Sequence, residues 1–295
     1  MLINGKEEEI SLVIPYVDNT DKVWLKIYND YCVRNNLKEK IIDIKTDRYE
    51  DIGLINYQLK LINKHCKWVN KIFLLLMNRE QAPKDLPSNV QIVYHGAFIP
   101  QKFLPTFNST TIEMFLWNIK DLGEYFIYAN DDMLPFHDLK PSDFFDKSGK
   151  IKIEWWNEDI RDCKNVFRYQ CLNSYKNMAY RLHKKVEDFK YIRPAHSWTP
   201  MIKSHCYNAY RLLEDVITKH IRAFRTEYQY NQYIYPIFEY FVYGTCNSNI
   251  DFLYTQLQEE IDLDHDIVCL NIIPKNKEKD LLRKLDESLW VIKSW

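Results

Sequence analysis

Along the first half of the chain, short continuous apolar runs alternate with stretches in which apolar residues recur at helical spacing. Residues 11–17 (SLVIPYV) predict a first strand. Asp21 can cap a helix whose apolar face is Trp24, Ile27, Tyr28 and Tyr31. Residues 41–44 predict a weaker strand, and beyond Asp51 the residues Ile55, Leu59, Ile62 and Cys66 form one helical stripe. Residues 71–77 (KIFLLLM) are apolar without a break, as suits a parallel strand covered on both faces. Residues 90–94 predict another strand, Ile112, Phe115, Leu116 and Ile119 a helix from about Thr110, and residues 125–129 (YFIYA) a further strand. This alternation predicts an α/β fold with a doubly wound, mostly parallel sheet. In such sheets ligands gather at the carboxyl ends of the strands.

From about Lys150 the pattern changes to one strand (IKIEWW, residues 151–156) and then basic, Tyr-rich helical stretches over residues 161–193. The expected organisation is an α/β core over 1–150, a helical insertion or subdomain over 151–275 that completes the site, and a C-terminal amphipathic helix over 276–295. Leu281, Leu282, Leu285 and Leu289 share one side of that helix. Packing on the core is its ordinary role, and peripheral docking on a membrane surface is the alternative.

Composition narrows the chemistry. With 40 Lys+Arg against 41 Asp+Glu the net charge is -1, which excludes the footprint of a strongly basic nucleic-acid-binding domain. The seven cysteines are odd in number and contain no CxxC pair, fitting a reduced compartment. Cys163, Cys171, His183 and Cys206 follow no structural-zinc spacing. No basic-then-apolar leader is visible, and no apolar stretch approaches the roughly 20 residues of a membrane span. The expectation is a cytoplasmic protein, at most peripheral at the inner face of the membrane. Tyr contributes 21 residues but Gly only six, so a Gly-rich phosphate cradle is unavailable. Phosphates would have to be met by metal, Arg, Lys or helix N-termini.

The residues richest in chemistry sit at expected strand ends: Asp18 after the first, and Asn130-Asp131-Asp132 after YFIYA. Adjacent carboxylates repel unless a cation lies beside them, so Asp131 and Asp132 are candidate oxygen ligands for Mg²⁺ or Mn²⁺; an Asp-rich turn is the plainer alternative. Glu113 has capping-box spacing from Thr110, and otherwise lies near the metal or reacting group. Asn108 and Ser109 can offer donors to phosphate or sugar hydroxyls. His196, held between Pro194 and Pro200, suits proton abstraction from a hydroxyl, although a structural histidine has the same pattern. Arg222 and Arg225 can neutralise phosphate or merely form surface ion pairs.

Taken in order, LVIPYVDNTDKVW (12–24), the long run from DRYEDIGLINYQLKLI through LPTFNSTTIE and LGEYFIYANDDM to Asp143-Phe144-Phe145, RPAHSWTPMIKS with FRTEYQYNQYIYPIFEYFVYG, and DIVCLNI (266–272) resemble the Stealth family. This is the family of capsular-polysaccharide phosphotransferases, to which the catalytic part of N-acetylglucosamine-1-phosphotransferase is similar. The resemblance implies a nucleotide-binding sheet of GT-A or Rossmann kind, a UDP-sugar donor, a divalent metal and a glycan acceptor, lipid-linked or free. On it, Asp18, Arg48, Asp51, Asn108, Ser109, Asn130 and Arg222 would line the donor. Asp131 and Asp132 would hold the metal, and His196, Asp132, Glu113 and Arg225 would serve catalysis. The segment after Glu113 reads Met-Phe-Leu-Trp-Asn where relatives often carry a His-x-x-Arg/Asn step. The implied reaction moves hexose-1-phosphate or N-acetylhexosamine-1-phosphate to a hydroxyl and releases UMP, in capsular or cell-surface polysaccharide synthesis. A glycosyltransferase releasing UDP and a non-catalytic carbohydrate-binding protein are the two rivals.

Overall fold

The computed structural model describes residues 1–37, 49, 51–255, 261–271 and 273–290. The strand expected at 41–44, and Arg48, lie outside them. A short hairpin, β1 (Leu2–Ile3) with β2 (Lys6–Glu7), leads into β3 (Ile10–Pro15) and α1 (Lys22–Arg34). Then come α2 (Leu54–His65), β4 (Ile72–Leu76), β5 (Val90–Tyr94), the one-turn helix α3 (Ser109–Glu113), β6 (Tyr125–Tyr128), β7 (Met133–Pro135) and α4 (Pro141–Phe144). The second half runs β8 (Trp155–Asp159), α5 (Val166–Arg181), β9 (Lys190–Pro194), β10 (Thr199–Ile202), α6 (Lys203–His220), α7 (Ile234–Val242), β11 (Phe252–Thr255), β12 (Ile267–Leu270) and α8 (Glu278–Trp290).

The main sheet has the order β10-β6-β3-β4-β5. Strands β3, β4, β5 and β6 are mutually parallel, and only β10 runs against its neighbour β6. Side chains alternate across a strand, so each strand feeds two cores. Leu12, Ile14, Ile72, Leu74, Leu76 and Ile127 pack with Ile55, Leu59 and Ile62 of α2 on one face. Val13, Phe73, Leu75, Phe126 and Tyr128 pack with residues of α5, α6 and α7 on the other. The fold is therefore α/β with a mostly parallel sheet covered on both faces, as the unbroken apolar runs predict. Residues beyond 150 supply β10 to this sheet and also β12, which pairs with β7 in a second sheet of order β11-β12-β7.

Two expectations fail locally. The helix expected from Thr110 through Ile119 ends at Glu113 and continues only as a 3-10 turn over Leu116–Asn118. Phe115, Leu116 and Ile119 are buried all the same, and the core accommodates them from an irregular path. The helical stretch expected over 161–193 stops at Arg181, where Leu182 caps α5 and His183 takes a positive φ of 52°. Residues 190–194 instead form β9, antiparallel to β8, with Tyr191 buried and Lys190 exposed as a half-covered strand requires.

The C-terminal helix packs inward. Leu281 and Leu285 of α8 are fully buried against Leu61, Leu134, Val268 and Leu270, and Leu282 and Leu289 pack beside them. Tyr57 Oη donates to Asp286 Oδ1 at 2.8 Å, and Lys284 Nζ to the carbonyl of Ile261 at 3.0 Å. The apolar face that membrane docking would use is thus already covered. Leu285→Ala is expected to destabilise the fold by about 2–5 kcal/mol in urea unfolding, the usual cost of such a cavity, whereas a leucine facing lipid would cost almost nothing. Among the described residues, no helix is long and apolar enough to cross a membrane.

Candidate active site

At the carboxyl end of β6 the chain turns back on itself. Met133 donates its N–H to the carbonyl of Asn130 at 3.2 Å, so Asp131 and Asp132 are the two central residues of a tight turn between β6 and β7. Their carboxylates lie close enough for the charge of Asp132 to be felt at Asp131. Burial, then Asp132 and then Asp51, push the Asp131 carboxyl well above its ordinary range. Burial raises Asp132 to about 6, although the Cys269 thiol and the Arg225 charge favour its ionised form. Oδ1 of Asp132 is buried and without a hydrogen-bond partner. An orphaned anionic oxygen beside a second carboxylate is a donor set that fits a hard cation. Among the described residues, no three acidic, Cys or His side chains converge as a closed metal cage, and this includes Cys163, Cys171, His183 and Cys206.

Asp51 and Asp18 border this turn from the ends of neighbouring elements. Tyr16 Oη, at the end of β3, donates to Asp51 Oδ2 at 2.7 Å and is also influenced by Asp18 and Asp131. The other oxygen of Asp51 accepts the N–H groups of Gly53 and Leu54, which holds the start of α2. Asp18 accepts from the amide and hydroxyl of Thr20, at 2.8 and 2.9 Å.

Glu113 occupies the other wall. It does not cap α3: Asn108 does, accepting from the N–H of Thr110 at 3.1 Å, because the helix begins two residues earlier than the capping-box spacing suggests. Freed from that role, the Glu113 carboxylate is 3% exposed and accepts from Tyr128 Oη at 3.2 Å and the N–H of Gln232 at 3.0 Å. Burial raises its pKa against the opposing pull of Arg225 and these donors, with Ser109 among them.

The two arginines separate. Arg222 is exposed and donates to the carbonyls of Lys219 and Ile221, closing the end of its own helix. Arg225, three residues on, donates to the Ser109 hydroxyl. Its charge is felt at Glu113, Tyr128, Asp132 and His196. An aromatic cluster fixes the loop that carries it: Phe224 stacks on Phe107 at 5.4 Å, and Tyr28 and Tyr31 of α1 meet its edges. Asn108 Nδ2 pins the same loop by donating to the carbonyl of Arg222 and to Gln229 Oε1, both at 3.1 Å. Buried and engaged on both sides, Asn108 has no group left for a ligand, contrary to its expected donor-binding role.

His196 precedes β10 and lies between Phe167 and Tyr254, with ring centroids 5.6 and 5.3 Å away. Its Nδ1 is 3.2 Å from Tyr233 Oη. Burial, with the charges of Arg193 and Arg225, holds its pKa down at about 4, so the ring is neutral near pH 7. Arg193 is itself anchored by Glu158, Nε to Oε1 at 2.7 Å, and lies over the Trp156 ring at 4.5 Å.

The structure therefore brings Glu113, Ser109, Asp132, Arg225 and His196 into one electrostatic neighbourhood, with Asp131, Asp51 and Asp18 on its sheet side. Asn130 contributes its carbonyl to the turn. Tyr128, Tyr233 and Arg193 were missed by sequence reading. Tyr128 closes a strand that looks merely apolar, and Arg193 stands in a segment read as helix.

Residues 48–153 match Stealth protein CR2, conserved region 2. The capsular polysaccharide phosphotransferase cps1A of Actinobacillus pleuropneumoniae is 29% identical over 257 residues, covering 84% of this chain and 70% of its own length. The capsular polysaccharide phosphotransferase of Neisseria meningitidis serogroup B is 30% identical over 217 residues, covering 70% of this chain and 57% of its own. CpsJ of Streptococcus thermophilus, also a capsular polysaccharide phosphotransferase, is 37% identical over 139 residues, covering 46% of this chain and 57% of its own. Among solved structures, the galactosyltransferase LgtC with donor and acceptor sugar analogs aligns over 95% of both chains, with a TM-score of 0.42 and 9% identity. Residues 48–153 thus carry conserved region 2 of the Stealth family, and similarity to capsular polysaccharide phosphotransferases extends over most of the chain.

Proposed function

We propose that this chain is a sugar-1-phosphate transferase of capsular or cell-surface polysaccharide synthesis, taking hexose-1-phosphate or N-acetylhexosamine-1-phosphate from a UDP-sugar to a glycan hydroxyl. The carrying observation is the Asp131–Asp132 turn with its partnerless Oδ1, set opposite a guanidinium and a neutral imidazole. The names of the relatives support phosphate transfer over glycosyl transfer.

In the proposed reaction the acceptor oxygen forms a bond to the β-phosphorus of the donor, and the bond from that phosphorus to the oxygen bridging to UMP breaks. The products are a phosphodiester and UMP. Asp131 and Asp132 would hold Mg²⁺ or Mn²⁺, which when bound supplies positive charge to the donor's diphosphate. Arg225 takes further charge on the transferring phosphate, held in line by Ser109 and Glu113. His196 accepts the acceptor's proton at Nε2, since a proton on Nδ1 can be donated to Tyr233 Oη. Asp18, Asp51 and Asn130 border the donor. Positioning and charge dispersal do most of the catalytic work in such transfers.

Incubation with a panel of UDP-sugars, Mn²⁺ and a capsule-type glycan is expected to release UMP, and chelation with EDTA to stop it. UDP among the nucleotide products would establish a glycosyltransferase instead, and glycan binding with no nucleotide-sugar consumption a binding protein.

A further inference from the structure

The carboxylate-bearing turn is held by its backbone, and one side chain holds it twice. Gln58, in the middle of α2, is fully buried in a helical stripe otherwise formed by Ile55, Leu59 and Ile62. Its Nε2 donates to the carbonyl of Asn130 at 2.7 Å and to the carbonyl of Met133 at 2.8 Å. Both partners are acceptors, so the amide nitrogen must face them, and Oε1 is left buried without a partner. The two carbonyls flank Asp131 and Asp132 on either side. Trp198 Nε1 adds a second bond to the Met133 carbonyl at 3.1 Å, and the N–H of Leu270 closes on the carbonyl of Asp132 at 2.8 Å.

A polar amide inside an apolar stripe is costly, and an amide oxygen buried without a partner adds to that cost. A leucine here would pack the same helix against the same sheet without it. What the glutamine adds is a fixed geometry for two carboxylates that repel each other. Without backbone restraint, the turn could relax by swinging them apart.

We propose that Gln58 is a positioning residue for cation binding: it clamps the turn at residues 130–133 so that Asp131 and Asp132 present their oxygens together. The proposal rests on the reading of these two aspartates as a cation seat. Gln58→Met keeps the side chain's length and removes both donated bonds. In this variant the Mn²⁺ dissociation constant, read from the free-ion EPR signal of the intact protein with Mn²⁺ alone, should rise about 10- to 100-fold, the usual effect of losing a group that orients metal ligands. Leu59→Ala, next to it on α2, should lower the thermal midpoint but leave Mn²⁺ binding unchanged. Trp198→Phe, which removes only the ring N–H, is the milder variant and should shift binding in the same direction by less. Wild-type Mn²⁺ affinity in a folded Gln58→Met or Trp198→Phe protein would reduce the clamp to a packing role. Absence of Mn²⁺ binding by the unaltered protein would instead remove the cation seat, and the clamp with it.

Discussion

Asp132→Asn is expected to lower turnover by about 10²-fold or more, because it removes an anionic oxygen where charge must be matched during phosphate transfer. The same change should make the cation-free protein more stable. Burial holds the Asp132 carboxyl at about 6 against an ordinary 3.8, so the folded protein binds this proton more tightly than the unfolded chain. Stability contributed by the group is therefore present at low pH, declines as pH rises from about 3.8 through about 6, and stays reduced above that. Asparagine carries no such charge, and at pH 7.5 should recover on the order of 1–3 kcal/mol, with a higher thermal midpoint. Mn²⁺ should raise the midpoint of the parent protein and leave the variant's unmoved. Calorimetry with and without Mn²⁺, alongside a UMP-release assay, tests both halves. A variant that retains turnover and has the parent's midpoint would show that Asp132 is an ordinary turn residue.

His196→Ala is the second large effect, also about 10²-fold or more on turnover, the scale of a deleted general base. An exposed histidine would lose activity as pH falls through the ordinary value of 6.5, but this ring stays neutral down to about 4. With Mn²⁺ saturating, the acid limb of kcat/KM is therefore expected well below 6.5. His196→Ala should flatten whatever part of that limb the imidazole controls. Near-normal turnover in a folded His196→Ala protein would take it out of the base role.

The strands were legible where chemistry left no choice. Residues 72–76 and 125–128 are apolar at every position or nearly so, and a strand buried on both faces needs that. β10 was not legible: Thr199-Pro200-Met201-Ile202 is short, carries a proline, and owes its place to the open edge of β6 rather than to its own pattern. β9 was hidden for a similar reason, since its partner β8 determines its conformation. In the site, adjacent aspartates after an apolar run announced themselves by their charge. The difference between Arg222 and Arg225 did not, because both stand in the same basic stretch and only tertiary contacts set Arg225 against Ser109 while Arg222 stays exposed. Gln58 did leave a trace, an amide at i+3 from Ile55 on an apolar stripe, where a hydrophobic residue was due.

β3 lies at the middle of the main sheet, yet its residues precede the stretch that matches conserved region 2, and β10 arrives from beyond it. The span by which kinship is detected and the span that folds are accordingly different things. Removing everything outside 48–153 would pull out the central plank and one outer plank, stranding β6 from β4 and baring hydrogen-bonding backbone on both sides of the strand that delivers the aspartates. The signature keeps its folded geometry only while the distant segments that hold it upright stay in place.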